Sequence, residues 1–156
     1  MNCSILLLAL LPHASPGDPV DVMNQVYKTL RAGDLAKAEV AFIQPTDKRL
    51  IKRLKKSIAE TATTMRKGEL AMKAVFSRVQ GKWAVVVSRI EQTHGGKKER
   101  IIRDEFMLNQ KGKWRVAPEA LRLDPAVRPL LDDDMKALFK WYRANVDDLR
   151  KKHLKV

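Results

Sequence analysis

Three glycine-containing turns divide the middle of the chain and limit what it can fold into. They lie at residues 80–82, 93–97 and 110–112. Between and around them are four segments that favour extended structure, at residues 70–79, 83–92, 99–109 and 113–117. The second contains Ala84-Val85-Val86-Val87, and β-branched side chains pack well on a sheet. Because short turns join antiparallel strands, three consecutive hairpins predict an antiparallel meander.

Before residue 68 the apolar residues follow the helical period instead. Asp18-Pro19 is typical of a helix start, with a capping carboxylate followed by proline at the first helical position. Gly33 supplies the left-handed residue that ends such a helix. The apolar stripe of this first helix consists of Val22, Val26, Tyr27 and Leu30.

Two further helices are predicted before the sheet. Asp34 caps a short helix that continues to Ile43 and stops near Pro45. Thr46 is predicted to cap a third helix, which ends at Gly68. The apolar stripe of the third helix consists of Leu50, Ile51, Leu54, Ile58, Ala62 and Met65.

A last helix is predicted after a proline-rich irregular connection. Three acidic residues, Asp132, Asp133 and Asp134, complement the positive end of its dipole, and cations at residues 150–152 complement the negative end. Capping explains these acids better than a cation site, because consecutive side chains at a helix start diverge. Its apolar stripe consists of Met135, Leu138, Phe139, Tyr142, Val146 and Leu149. That stripe is expected to pack on its own domain or to form a homodimer.

Two local patterns resemble a known superfamily. Residues 27–38 read aromatic–x–x–Leu–x–x–Gly–Asp–hydrophobic–x–x–Ala, and Gly-Lys-Trp turns begin at Gly81 and Gly112. Over about residues 18–120 the chain resembles the nuclear-transport-factor-2-like superfamily, in its exported binding type. The resemblance implies an α+β fold: a cystatin-like roll of three N-terminal helices packed on a curved antiparallel meander. Residues 121–156 are then an added connection and helix.

Enzymes of that superfamily place Asp, Tyr or His in the cone between sheet and helices. The resemblance therefore implies Tyr27, Asp104 and Tyr142 as ligand-pocket candidates. No motif assigns a catalytic role to any of them, so we expect a non-catalytic module that binds a small ligand or a protein. A small-molecule isomerase or hydrolase that uses the same cone is a weaker alternative.

The N-terminus predicts export to the periplasm or outside the cell. Seven apolar residues, Ile5 to Leu11, precede Pro12 and small residues, the pattern of a short signal peptide over residues 1–15. A buried apolar strand, and hence a cytoplasmic protein, is the alternative. Cys3 is the only cysteine, so its removal with the signal would leave no disulfide and no thiol chemistry. No apolar run approaches the length of a membrane-spanning helix.

The net charge of +13 is concentrated in the middle of the chain. Residues 47–67 hold eight cations and two carboxylates. The candidates for binding an anionic polymer such as nucleic acid, acidic polysaccharide or an anionic lipid surface are Lys48, Lys52, Arg53, Lys55 and Lys56. The alternative is a solvated helix face with no specific partner.

Neither a metal nor a cofactor is expected. The three histidines are His13 in the predicted signal, His94 in a turn and His153 near the C-terminus, and they cannot converge on rigid elements. Asp104 and Glu105 are strand neighbours that point to opposite faces, so they cannot act as paired acid and base. One of them is expected to enter the pocket or to pair with Arg103 or Arg89.

Overall fold

Four helices and four strands make up the computed structural model, which describes residues 17–118 and 130–154. Their bounds, in chain order, are α1 Pro19–Ala32, α2 Leu35–Val40, α3 Lys48–Arg66, β1 Leu70–Gln80, β2 Trp83–His94, β3 Lys97–Gln110, β4 Lys113–Ala117 and α4 Asp133–Leu154. The predicted α+β class is confirmed. The predicted signal peptide and most of the predicted irregular connection lie outside the described residues.

The strands form one antiparallel sheet in the order β1-β2-β3-β4, the meander that the three turns predict. Its inner strand β2 is buried without interruption from Trp83 to Ser88. Such a run requires cover on both faces of the sheet, whereas a half-exposed strand would alternate buried and exposed positions. Helices provide that cover on both sides.

The parity of the residue number decides which layer a β2 side chain enters. Ala84 and Val86 join the core formed with α1 and α3. Trp83, Val85 and Val87 join a second core formed with α4. The molecule therefore has three layers: α1 and α3, then the sheet, then α4. The last helix buries its stripe on its own domain, one of the two arrangements that the sequence allowed.

Local capping follows the sequence in α1 and α2 but not at the start of α3. The Asp18 carboxylate accepts the N–H of Val20, and Gly33 ends α1 with φ 77°. For α3, the prediction of Thr46 as the cap is wrong. Asp47 is the cap instead, because its carboxylate accepts the N–H groups of Arg49 and Leu50 at 2.6 and 3.4 Å.

Helix α2 ends at Val40, earlier than the predicted Ile43. Phe42 leaves the helix and forms a parallel bridge with Val116 of β4. The Ile43 N–H donates to the Val116 carbonyl at 2.8 Å, and the Val116 N–H donates to the Ala41 carbonyl at 2.8 Å. These two bonds give the outer edge of β4 a partner, which helical continuation would have denied it.

A β-bulge between Ala74 and Phe76 interrupts the β1–β2 register. The side-chain amide of Asn24 satisfies the backbone at that point: its oxygen accepts from the Ala74 N–H at 2.9 Å, and its nitrogen donates to the Ala74 carbonyl at 3.2 Å. Unsatisfied backbone groups at a half-buried site destabilise a fold, so Asn24 both stabilises the bulge and fixes α1 against β1.

The start of α4 is attached to the turn between β1 and β2. Lys82 pairs with the Asp132 carboxylate at 3.1 Å, and Gln80 donates to Asp134 at 3.3 Å. Asp132 also caps α4, since it accepts the N–H of Met135, as the sequence predicts. A Cβ on Gly81 would overlap the Asp134 carboxylate, so glycine permits this close approach. No helix among residues 17–118 and 130–154 is long and apolar enough to cross a membrane.

Trp83→Ala should lower the free energy of unfolding by about 3–5 kcal/mol, because the indole is fully buried between β2 and α4. Urea unfolding measures this loss. Val79→Ala on the exposed part of β1 is the matched control and should stay within about 0.5 kcal/mol of the parent. A loss below about 1 kcal/mol for Trp83→Ala would contradict the two-sided burial of the sheet.

Candidate ligand-binding cavity

A cavity of about 720 Å³ opens between α1, α3 and the sheet, at the end of β4. Beyond Ala117 no described strand lies beside β3, and the cavity continues past this free edge toward α4. Apolar side chains that line it include Met23, Leu30, Leu54, Ile58, Met72 and Phe106. A space of this size with apolar walls is in the range that holds small organic ligands.

Tyr27 contributes a deeply buried hydroxyl group to this lining. Its hydroxyl lies 2.7 Å from Ser88 Oγ on β2, a buried side-chain hydrogen bond between α1 and the sheet. Burial raises the pKa of the Tyr27 phenol well above its ordinary value, and the negative charge of Glu105 raises it further. The phenol is therefore neutral at physiological pH and is a hydrogen-bonding group of the wall.

Glu105 and Arg103 form an ion pair on the same face of β3. Arg103 Nε lies 3.1 Å from Glu105 Oε1, and the Glu105 side chain is only 15% exposed. Their spacing of two residues places both on the side of the sheet that faces α1 and α3. The expected pairing of an acid at 104 or 105 with Arg103 is confirmed, and Glu105 is the carboxylate that lies beside Tyr27.

Helix α3 contributes a polar ladder of Arg53, Ser57 and Thr61 to the lining. Spaced at four-residue intervals, they lie on one side of the helix about 6 Å apart along its axis. Further along α3, the hydroxyls of Thr63 and Thr64 donate to the carbonyls four residues earlier. Within the described part of the chain, neither Ser57 nor Thr61 makes a side-chain hydrogen bond.

The structure separates Tyr27 from the other two pocket residues that the resemblance implies, Asp104 and Tyr142, which lie close to each other. Tyr27 lies in the cone between helices and sheet. Asp104 lines the cavity too, but at its far end, since it shares the α4 side of the sheet with Phe106. Tyr142 is buried under α4 on that same side, outside the cavity lining. Burial raises the pKa of Tyr142 to about 12, with a further contribution from the charge of Asp104.

The sequence prediction of pocket residues missed the α3 ladder, Arg103 and the partner of Tyr27, Ser88. The sequence did contain a signal for the ladder. Ser57 and Thr61 directly precede the buried residues Ile58 and Ala62, so they lie at the edge of the buried face of α3. For Ser88 there was none, because its pairing with Tyr27 spans 61 positions of the chain.

The five predicted anion-binding residues are all exposed on α3, but they divide into three kinds. Lys55 pairs with Glu39 at 3.4 Å, and Lys56 pairs with Glu60 at 3.7 Å. Arg53 borders the cavity. Lys48 and Lys52 form no ion pair with a carboxylate among the residues described, and so are the uncompensated lysines of this face.

The histidines that the structure describes lie far apart. His94 is exposed at the end of β2, and His153 lies near the end of α4, with its ring centroid 6.2 Å from that of Phe76. Burial lowers the pKa of His153, and Lys152 lowers it further. Over the described ranges, no three His, Cys, Asp or Glu side chains converge into a group that could hold a metal ion.

Comparison with solved structures gives likenesses of low sequence identity. No family model and no curated protein matches the chain. Among solved structures it is similar to a variant of the NTF2 design Rd1NTF2_05, with 14% identity, 62% of this chain and 89% of that chain covered, and a TM-score of 0.47. It is also similar to the de novo designed NTF2 fold protein NT-9, with 18% identity, 76% and 94% covered, and a TM-score of 0.44. The α+β architecture rests on the strand order and packing of this chain itself.

The two tyrosines of the chain should ionise late, and their ultraviolet absorbance reports them alone. In the folded protein neither phenol should titrate near pH 10. The pKa of Tyr142 should be about 12, and the pKa of Tyr27 should be higher than that of Tyr142. Because both folded pKa values lie above the unfolded value, the resulting stability is complete below pH 10 and is lost as pH rises through the folded values.

The matched measurement compares the parent with Tyr27→Phe and Tyr142→Phe as pH rises above 10. Each variant should lose stability less steeply than the parent, since it lacks one phenol that only the unfolded chain ionises. Lysines titrate in the same range but are common to all three proteins. A tyrosinate signal that develops fully near pH 10 in the folded parent would contradict the burial of both phenols.

Proposed function

We propose that this protein is an exported, non-catalytic binding module that holds a small ligand in the cavity between α1, α3 and the sheet. The observation that carries the proposal is the lining: apolar walls from two helices and the sheet, with a few polar groups at defined positions. That combination provides both desolvation of a ligand body and orientation of its polar atoms. Export is supported by the sequence of residues 1–15.

The polar groups of the lining favour binding over catalysis. A general base must accept a proton from its substrate, and a neutral phenol with a strongly raised pKa is unsuited to that role. Glu105 is held in an ion pair with Arg103. Both are suited to orient a ligand. The isomerase or hydrolase alternative predicts turnover that depends on Glu105 or Asp104.

A substitution that fills the cavity tests this proposal. Thr61→Trp places an indole in the lining and should weaken binding of an uncharged apolar probe, naphthylacetamide, by at least tenfold. Titration calorimetry measures the binding, and Ser57→Trp fills the same space from one turn earlier on α3. The physical reason is volume, because the added indole occupies space that the probe needs.

Thr63→Trp is the matched control, since Thr63 is exposed on the same helix and does not line the cavity. This variant should bind the probe as the parent does. Circular dichroism verifies that all three variants remain folded. If the parent does not bind the probe, or if the Thr63 variant loses as much affinity as the other two, the cavity is not the binding site.

A second candidate function is the binding of an anionic polymer by α3. It is favoured by the exposure of Lys48 and Lys52 without an acidic partner among the described residues. Each cation that contacts a phosphate or sulfate releases a counterion, so such binding weakens steeply with salt.

Changing Lys48 and Lys52 together to Gln should weaken binding to heparin and to single-stranded nucleic acid. It should also reduce the salt dependence, by about one counterion for each lysine that contacts the polymer. Changing Lys97 and Lys98 to Gln at the distant β2–β3 turn removes the same charge and is the matched control. Equal losses in both double variants would show a general charge effect, with no specific role for α3.

A further inference from the structure

We propose that the cavity selects an organic anion, a carboxylate on an apolar body, and that Arg53 of α3 binds its charged group. This inference rests on the proposed binding function and adds the chemical class of the ligand. It is carried by the position of one arginine at the border between a basic helix face and an apolar-walled cavity.

Arg53 is available to a ligand. It lines the cavity, its side chain is exposed, and it forms no ion pair with any carboxylate in the described part of the chain. The other arginine of the same lining, Arg103, is paired with Glu105 at 3.1 Å. A guanidinium presents parallel N–H donors that match the two oxygens of a carboxylate, and it cannot lose its charge at physiological pH.

The ladder below Arg53 extends the recognition of an anion. The hydroxyls of Ser57 and Thr61 can donate to a carboxylate oxygen or to a polar substituent, since neither is engaged with α3 backbone carbonyls as Thr63 and Thr64 are. One side of α3 thus presents a cation followed by two hydroxyls, over about 12 Å of helix axis. That row matches a ligand with its charge at the exposed end.

The surrounding charges favour an anion at that end. Arg49, Lys52 and Lys56 lie within one turn of Arg53 on α3, and only Lys56 has a carboxylate partner among the residues described. Their combined potential attracts anions toward the mouth and repels cations. The carboxylate of Asp104 lies at the opposite end of the cavity, near Tyr142, so an anionic group there would be repelled.

Apolar walls require the rest of the ligand to be hydrophobic. Met23 and Leu30 of α1, Leu54 and Ile58 of α3, and Met72 of β1 surround the space beyond the ladder. A small inorganic anion such as phosphate would leave these surfaces in contact with water and gain nothing from them. The cavity therefore fits an amphipathic anion better than a free inorganic one.

The test compares two probes of nearly the same shape that differ in charge, naphthylacetate and naphthylacetamide, by titration calorimetry on the full chain. The parent should bind the carboxylate at least tenfold more tightly than the amide. Arg53→Gln should remove this preference and leave the affinity for the amide unchanged. Arg53→Lys keeps the charge but loses the planar pair of donors, so it should retain only part of the preference.

Arg49→Gln is the matched control, because it removes the same charge from the same exposed helix one turn away from the cavity lining. It should lower the preference only slightly, because Arg49 adds to the potential at the mouth but does not line the cavity. Equal loss in the Arg49 and Arg53 variants would overturn the proposal, since the attraction would then belong to the helix as a whole.

The remaining outcomes separate this inference from the binding function on which it rests. If the parent binds both probes equally, and Thr61→Trp still blocks both, the cavity binds ligands but does not select a carboxylate. If inorganic phosphate displaces naphthylacetate at a similar concentration, the apolar body of the ligand does not contribute to affinity and the proposal is wrong. If neither probe binds the parent, the binding function fails together with the inference.

Discussion

Burial of β2 on both of its faces is the constraint on which the rest of the structure depends. Six consecutive side chains from Trp83 to Ser88 are removed from water, so neither face of the sheet can be left to solvent. The helices before the sheet cover one face, and α4 covers the other. Without α4 the indole of Trp83 and the side chains of Val85 and Val87 would be exposed, a loss that hairpin hydrogen bonds alone do not offset.

The two faces of the sheet differ in how tightly their covering helices pack. The α4 side is closed by apolar packing and by contacts of Asp132 and Asp134 with the β1–β2 turn. On the other side, α3 contacts the sheet through its core stripe, and among the described residues space remains beside β3 beyond Ala117. The longer helix α4 packs on one face of the sheet, and the cavity lies mainly on the face covered by α1 and α3 and extends past the end of β4 toward α4.

The secondary structure could be predicted from the sequence, but the face of the sheet on which each side chain lies could not. Glycine turns and helix periodicity predicted the number, order and type of all elements within the described residues, because these signals act over a few positions. The pocket candidates required knowing which parity of β3 faces the cone. Residues 83–87 of β2 are all apolar, so they show no alternation that would fix the parity, and Asp104 was placed with Tyr27 although Glu105 lies there. The hydrogen bonds between the Asn24 side chain and the Ala74 backbone could not be predicted from the sequence either, because they depend on a β-bulge.

Arg53 lies where the basic, solvent-facing side of α3 adjoins the side that lines the cavity, so the positive charge of the helix reaches the cavity at this residue. Leu54 and Ile58 face the core, Lys48 and Lys52 face solvent, and the ladder from Arg53 to Thr61 borders the cavity. Screening limits the reach of each cation to about 8 Å at physiological ionic strength. Cations within five residues of Arg53 lie about that far along the axis and act on the mouth, whereas those at residues 66–67 lie beyond it. The part of the basic face that can influence a ligand is therefore the N-terminal half of α3, where the lysines without acidic partners among the described residues also lie.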